Sequence, residues 1–322
     1  MTIAARTSIA FFIAGTIWLP HQGGAQAPVF TYKGMCDASA AAALDADHFV
    51  VADDERNQLK IYKRGQADAM ASVDMSGFLG TKQDKESDLE GSATIENRFY
   101  WISSHSQNKE GKFQDRRHRL FAVHIKPGTP PSVAAVPGTK FYAKLRNVML
   151  GDDRLTPFKL AEAAELPPKD KGGFNIEGLA ATPDGKLLIG FRNPIPADGA
   201  LIVPLDNPGE VLTGQEAKLG APILLKGLNG NGIRSIELIG TSYLVVAGPA
   251  GKDGSFALHR WSGKPNEAAM PVAGVDLSAL NPEALFAVSA DTVQILSDDG
   301  AVNGCKDLEE AKQSFRSITV KP

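Results

Sequence analysis

One pattern of apolar and polar positions recurs along the chain. An acidic residue opens a run of about six mostly apolar residues, a polar turn follows, and a second apolar run ends in small residues. The copies are LEGSATIENRFYWISS from Leu89, IEGLAATPDGKLLIG from Ile176, IELIGTSYLVVAG from Ile236 and PEALFAVSADTVQILS from Pro282, with a weaker copy, DASAAAALDADHFVVA, from Asp37. Two apolar runs about a polar turn predict a β-hairpin. The opening acids fall at Asp37, Glu90, Glu177, Glu237 and Glu283, with separations of 53, 87, 60 and 46 residues. Spacings of this order suit the blades of a β-propeller, which use roughly 40 to 50 residues each. The hairpins from Asp37, Leu89, Ile176 and Ile236 are each followed by a further strand pair: LKIYKRG and ASVDMSG, RLFAVHI and PSVAAVPG, ALIVPL and APILLKG, ALHRWSG and MPVAGVDL. Four strands per repeat is the composition of a blade. Turn chemistry agrees at Pro183-Asp184-Gly185, Asp253-Gly254 and Asp299-Gly300.

The long gap between the second and third acids holds the exception. Thr156 is placed to cap a helix with Pro157 at its first position, and FKLAEAAEL runs to a stop at Pro167-Pro168. This predicts a short helical insertion near residues 141–166, with a degenerate sixth blade as the alternative. The ends, VFTY at Val29 to Tyr32 and FRSITV at Phe315 to Val320, both read as strands whose pairing would close the ring. The expectation is an all-β protein, one propeller domain over residues 26–322 with five recognisable blades; a two-sheet sandwich is the competing architecture.

Composition narrows the classes. At 322 residues and 43% hydrophobic content the chain can bury a full core, and a net charge of −3 leaves no global basic field for nucleic acid or anionic lipid. Ile9 to Leu19 after Arg6 is too short to span a bilayer and has the character of a signal-peptide core. Cleavage is expected after Ala25, with Ala27 as the alternative, giving a periplasmic or secreted protein with no membrane insertion after processing. In that oxidising setting Cys36 and Cys305, one near each end, are expected to pair and lock the ring; two buried free thiols are the alternative.

In a propeller the first strand of each blade lines the central channel, so the five acids would converge on one axis. The second strand returns to the same face, which places Asp53, Asp54, His105, Arg192, Asn193, Asp298 and Asp299 near the ring. Like charges held close together must take up protons, bind a cation or pair with guanidinium and amide groups. A hard cation, calcium above all, matches carboxylates supplemented by backbone carbonyls and Asn175. Arg192 and Arg234 could fork onto an anionic ligand, and His105 could donate a proton. In the plainer alternative the acids accept hydrogen bonds from the neighbouring blade's backbone. No G-x-S-x-G, H-E-x-x-H, P-loop or C-x-x-C motif is present. The cluster Arg116-Arg117-His118-Arg119 reads as a solvated hairpin rim, and Trp101 and Trp261 as core packing.

The phrases KESDLEGSA, FNIEGLAATPDGKLLIGFRNP, IRSIE, NPEAL and ILSDDG, with the terminal CKD and FRSITV, resemble a group of bacterial secreted proteins classed as a domain of unknown function, over most of residues 34 to 320. The D-x-E-G and N-x-E-G blade openings at Asp88, Glu90, Asn175 and Glu177 are also similar to those of esterase-like phytase propellers and exported calcium-binding propellers. Leu238 and Ala284 replace the glycine after Glu237 and Glu283. The readings that follow are an exported, monomeric propeller binding a cation or small anionic ligand, or an envelope protein, at an acidic face, and a calcium-dependent phosphoester hydrolase. In the second, Arg192, Arg234 and His105 would serve the chemistry.

Overall fold

The computed structural model describes residues 28–53 and 55–322; the expected leader and Asp54 lie outside the described residues. The N-terminal strand β1 (Val29–Lys33) precedes the first blade, β2 (Ala38–Ala43), β3 (His48–Asp53), β4 (Gln58–Lys63) and β5 (Ala71–Asp74). The second blade is β6 (Leu89–Ile95), β7 (Arg98–Ser103), β8 (Leu120–Lys126) and β9 (Ser132–Ala135); the third is β10 (Asn175–Ala181), β11 (Leu187–Asn193), β12 (Ala200–Leu205) and β13 (Ile223–Leu225). The fourth is β14 (Gly232–Ile239), β15 (Ser242–Gly248), β16 (Ala257–Trp261) and β17 (Met270–Pro271). The last combines β18 (Pro282–Ser289), β19 (Thr292–Ser297) and β20 (Ser314–Val320) with β1 as its outer strand, so five four-stranded antiparallel sheets form a five-bladed β-propeller.

The inner strands β2, β6, β10, β14 and β18 neighbour one another in a closed cycle. Each sheet is covered on both faces by the next, which is why strands such as LLIGFRN of β11 are buried at every position rather than on alternate ones. Five apolar clusters result, one in each space between neighbouring blades. Trp101 packs between the first and second blades and Trp261 between the third and fourth. Ring closure has two parts. β1 pairs with β20 from Val29↔Ile318 to Lys33↔Ser314, and Cys36 and Cys305 form a disulfide across 269 residues just beyond it.

The insertion between β9 and β10 is helical, but its local form differs from expectation. Thr156 and Pro157 lie inside a 3-10 segment, Asp153–Phe158, capped by Asp152, whose carboxylate accepts a hydrogen bond from the Arg154 amide at 3.0 Å. Lys159 then turns to φ 53°, which interrupts helix growth before the single turn Leu160–Ala163. An earlier helix, Leu145–Leu150, also lies within the expected insertion of residues 141–166. Leu145, Met149, Leu155, Leu160 and Ala163 enter the core between the second and third blades, so the segment thickens one blade interface and forms no sixth blade. Among the described residues no helix is long and apolar enough to cross a membrane.

Candidate binding site

Every inner strand carries a β-bulge near its start. The register steps over Ser39 in β2, Glu90 in β6, Glu177 in β10, Arg234 in β14 and Glu283 in β18. A bulge leaves one residue out of the ladder and re-aims its side chain, so these residues are the equivalent positions of the blades. The residue after each is small because neighbouring blades approach closely there: a Cβ on Gly178 would come within 2.7 Å of Ile233 Cγ2, and one on Gly91 within 3.0 Å of Leu179 Cβ.

This register corrects two expected ring members. Asp37 lies two residues ahead of Ser39, in line with Asp88 and Asn175, which stand two ahead of Glu90 and Glu177. Glu237 lies three residues beyond Arg234, away from the ring; its carboxyl accepts a hydrogen bond from the amide of Ala287 in the next blade at 3.4 Å. There the plainer alternative, an acid tying blade to blade, describes the contact.

At the bulge positions, then, stand three glutamates, one arginine and one serine. Arg234 pairs with Glu177 at 3.1 Å and with Glu283, and Ser39 Oγ donates to Glu283 at 3.3 Å. Arg192, from the end of β11, donates to Glu177 at 2.8 Å and spends its remaining nitrogens on the carbonyls of Pro249 and Gly251. Burial alone would raise the Glu177 pKa, but the charges of Arg192 and Arg234 outweigh it and hold this carboxylate below its ordinary value. Burial pushes Glu283 up to about 7 despite the pull of Arg234. Glu90 has no ion pair among the described residues. Burial, together with the charges of Glu177, Asp88 and Glu283, raises its pKa well above the ordinary carboxylate range.

Glu90, Glu177, Glu283, Arg192 and Asn175 line a cavity of about 730 Å³. Asn175 is 3% exposed; its amide donates to Glu177 at 2.9 Å, and its Oδ1 has no hydrogen-bond partner. Asp37 and Asp298 face each other across a β-bridge on the same cavity, where Lys306 pairs with Asp37 at 2.8 Å and with Glu55. Burial and the Asp37 charge push Asp298 up to about 6.

The other residues expected near the ring are used elsewhere. His105 is fully buried outside this cavity beside His118, with ring centroids 5.5 Å apart and all its ring nitrogens unpartnered. Burial, then His118 and Arg146, lowers its pKa well below the ordinary value, so the group is held neutral and is not placed to meet a ligand. Asp299 is clamped by Arg316 at 2.6 Å, Asn193 donates to the carbonyls of Pro168 and Asp170, and Asp53 opens onto a neighbouring cavity of about 370 Å³. Of the presumed basic rim, Arg117 is buried and pairs with Glu86 and Asp88, while Arg119 is buried over the Phe141 ring. Among the described residues no group of His, Cys, Asp and Glu side chains is arranged to hold a metal ion.

Similar structures include glutaminyl cyclase from Myxococcus xanthus, at 12% identity over 90% of this chain and 94% of that one, with a TM-score of 0.45. The PQQ-bound aldose sugar dehydrogenase from Streptomyces coelicolor is 11% identical over 91% of this chain and 99% of that one, with a TM-score of 0.43. Likeness at this level says nothing about the chemistry of the present site. No curated protein matches the chain. The family described as "Protein of unknown function (DUF3616)" matches residues 121–287, slightly more than half of the chain, and the protein belongs to that family.

Proposed function

We propose that this protein is an exported binding propeller whose cavity at the bulge ring takes a small cationic ligand. The observation that supports the reading best is Glu90, the one ring carboxylate without an ion pair among the described residues, in a cavity also lined by Asn175, whose buried Oδ1 has no hydrogen-bond partner. A positive charge there would relieve the repulsion among Glu90, Glu177 and Glu283 and supply Asn175 with a donor. The disulfide and the apolar run near the N-terminus support export.

Calcium remains a candidate ion, yet a cage of six to eight protein oxygens finds no ready donor group among the described residues. Calcium would be held by Glu90 and Asn175 with water completing its shell. The hydrolytic alternative has less support. Arg192 and Arg234 are committed to Glu177 and Glu283, and His105 does not line the cavity. The test is thermal melting of chelator-treated mature protein with and without calcium chloride or butylamine, in wild type and Glu90→Gln, beside an assay for aryl phosphate hydrolysis. A rise in Tm that needs Glu90, without turnover, supports the reading. No ligand-dependent rise, or calcium-dependent turnover, would replace it.

A further inference from the structure

The ligand class at this site can be narrowed, on the condition that the cavity binds cations as proposed above. Its volume, about 730 Å³, lies in the range of small-molecule sites and far exceeds the needs of one ion. The carboxyl without an ion pair, Glu90, and the buried acceptor, Asn175 Oδ1, come from inner strands of the second and third blades. The cavity is also lined by Lys109, from the loop between β7 and β8, Lys169, from the segment that follows the helical insertion, and Lys252, from the loop between β15 and β16. All three are exposed, and none forms an ion pair with a carboxylate among the described residues, although the Lys169 charge helps to hold Glu177 below its ordinary value. Acceptors suited to a cation and exposed ammonium groups suited to an anion therefore border one space.

We infer that the cavity accommodates a zwitterion, an amino acid or short peptide whose ammonium group meets Glu90 and Asn175 while its carboxylate meets the exposed lysines Lys109, Lys169 and Lys252. The ammonium fits the inner position because it can donate to both acceptors and neutralise Glu90. The carboxylate fits the outer one because long lysine side chains at a solvent-exposed lip follow ligands of different lengths. Arg192 takes no part, since its donors are engaged with protein acceptors, and Arg234, held between Glu177 and Glu283, does not line the cavity.

The experiment is isothermal titration at pH 7.5 of the mature protein with butylamine, butyrate, 4-aminobutyrate, 6-aminohexanoate and triglycine. Wild type is compared with Glu90→Gln and with the triple variant Lys109→Ala/Lys169→Ala/Lys252→Ala, each checked for an unchanged fold by circular dichroism. Exposed ion pairs are individually weak, so the lysines together predict a zwitterion about tenfold tighter than butylamine, with that ratio falling towards one in the triple lysine variant. Triglycine binding above the aminoalkanoates would mark a peptide source, and the reverse a free amino acid. Equal affinity for butylamine and every zwitterion, with binding still dependent on Glu90, would overturn this inference and leave the cation-binding reading intact. No binding of any amine would overturn both.

Discussion

Arg234 forms ion pairs with Glu177 in the blade before it and with Glu283 in the blade after it, so one guanidinium joins three of the five blades around the channel. Arg234 is 4% exposed, and burial would lower its pKa were it not for the charges of Glu177, Glu283 and Glu90, which raise it. Removing one partner of a buried charge network leaves the others unpaired. Arg234→Ala is therefore expected to cost about 3–5 kcal/mol in chemical denaturation. Arg234→Lys should recover only part of that loss, because one ammonium lacks the two-sided geometry of a guanidinium. Denaturant midpoints of the three proteins check this, and an Arg234→Ala variant as stable as wild type would show that the network contributes little.

The closure of the ring makes a second prediction. Cys36 and Cys305 close a loop spanning nearly the whole chain, with a sequence separation of 269. A cross-link of that span restricts the unfolded ensemble, and its loss is expected to cost about 3–5 kcal/mol. Cys36→Ser/Cys305→Ser should unfold at lower denaturant with a native-like circular dichroism spectrum. Wild type in reductant should behave in the same way.

Glu237 gives the third. Burial pushes its carboxyl up to about 8, with the Ala287 amide opposing that rise. The folded protein therefore holds a proton on Glu237 that the unfolded chain releases near the ordinary value of 4.5. This proton's contribution to stability is fully present below the unfolded pKa and is lost as pH rises through the folded one. Glu237→Gln should flatten the fall in stability between about pH 5 and 8 by on the order of 1–2 kcal/mol, a figure discounted for the part of the side chain that remains accessible. Unfolding free energies at several pH values in that window test the sign. A variant with the same slope as wild type would assign the pH dependence to other groups, Glu283 and Asp298 first.

The repeat was legible in the sequence because hairpins buried on both faces must be apolar throughout, and only their turns and openings escape that rule. Strand pairs such as RLFAVHI with PSVAAVPG and the terminal closure of VFTY on FRSITV could be read directly. The ring was harder to place. Alignment on acidic residues selected Asp37 and Glu237, whereas the position is defined by the bulge, which accepts an acid, a base or a hydroxyl. The available signal was an apolar or small residue, a polar residue and then a small residue: Ile176-Glu177-Gly178, Ile233-Arg234-Ser235 and Ala38-Ser39-Ala40 share it. Close approach between blades demands the small residue, so its size is a better anchor than its neighbour's charge. The engagement of Arg192 with Pro249 and Gly251 depends on contacts between blades and leaves no local trace in the sequence.

The central claim is that Glu90 is a ring carboxyl without an ion pair among the described residues and therefore receptive to a cation. Its titration can be followed directly by NMR of protein carrying 13C-labelled glutamate carboxyls, with Glu90→Gln used to assign the signal. A midpoint well above 4.5 in ligand-free protein, falling when butylamine or calcium is added, is the predicted result. A midpoint at or below the ordinary value, unmoved by either cation, would contradict the account.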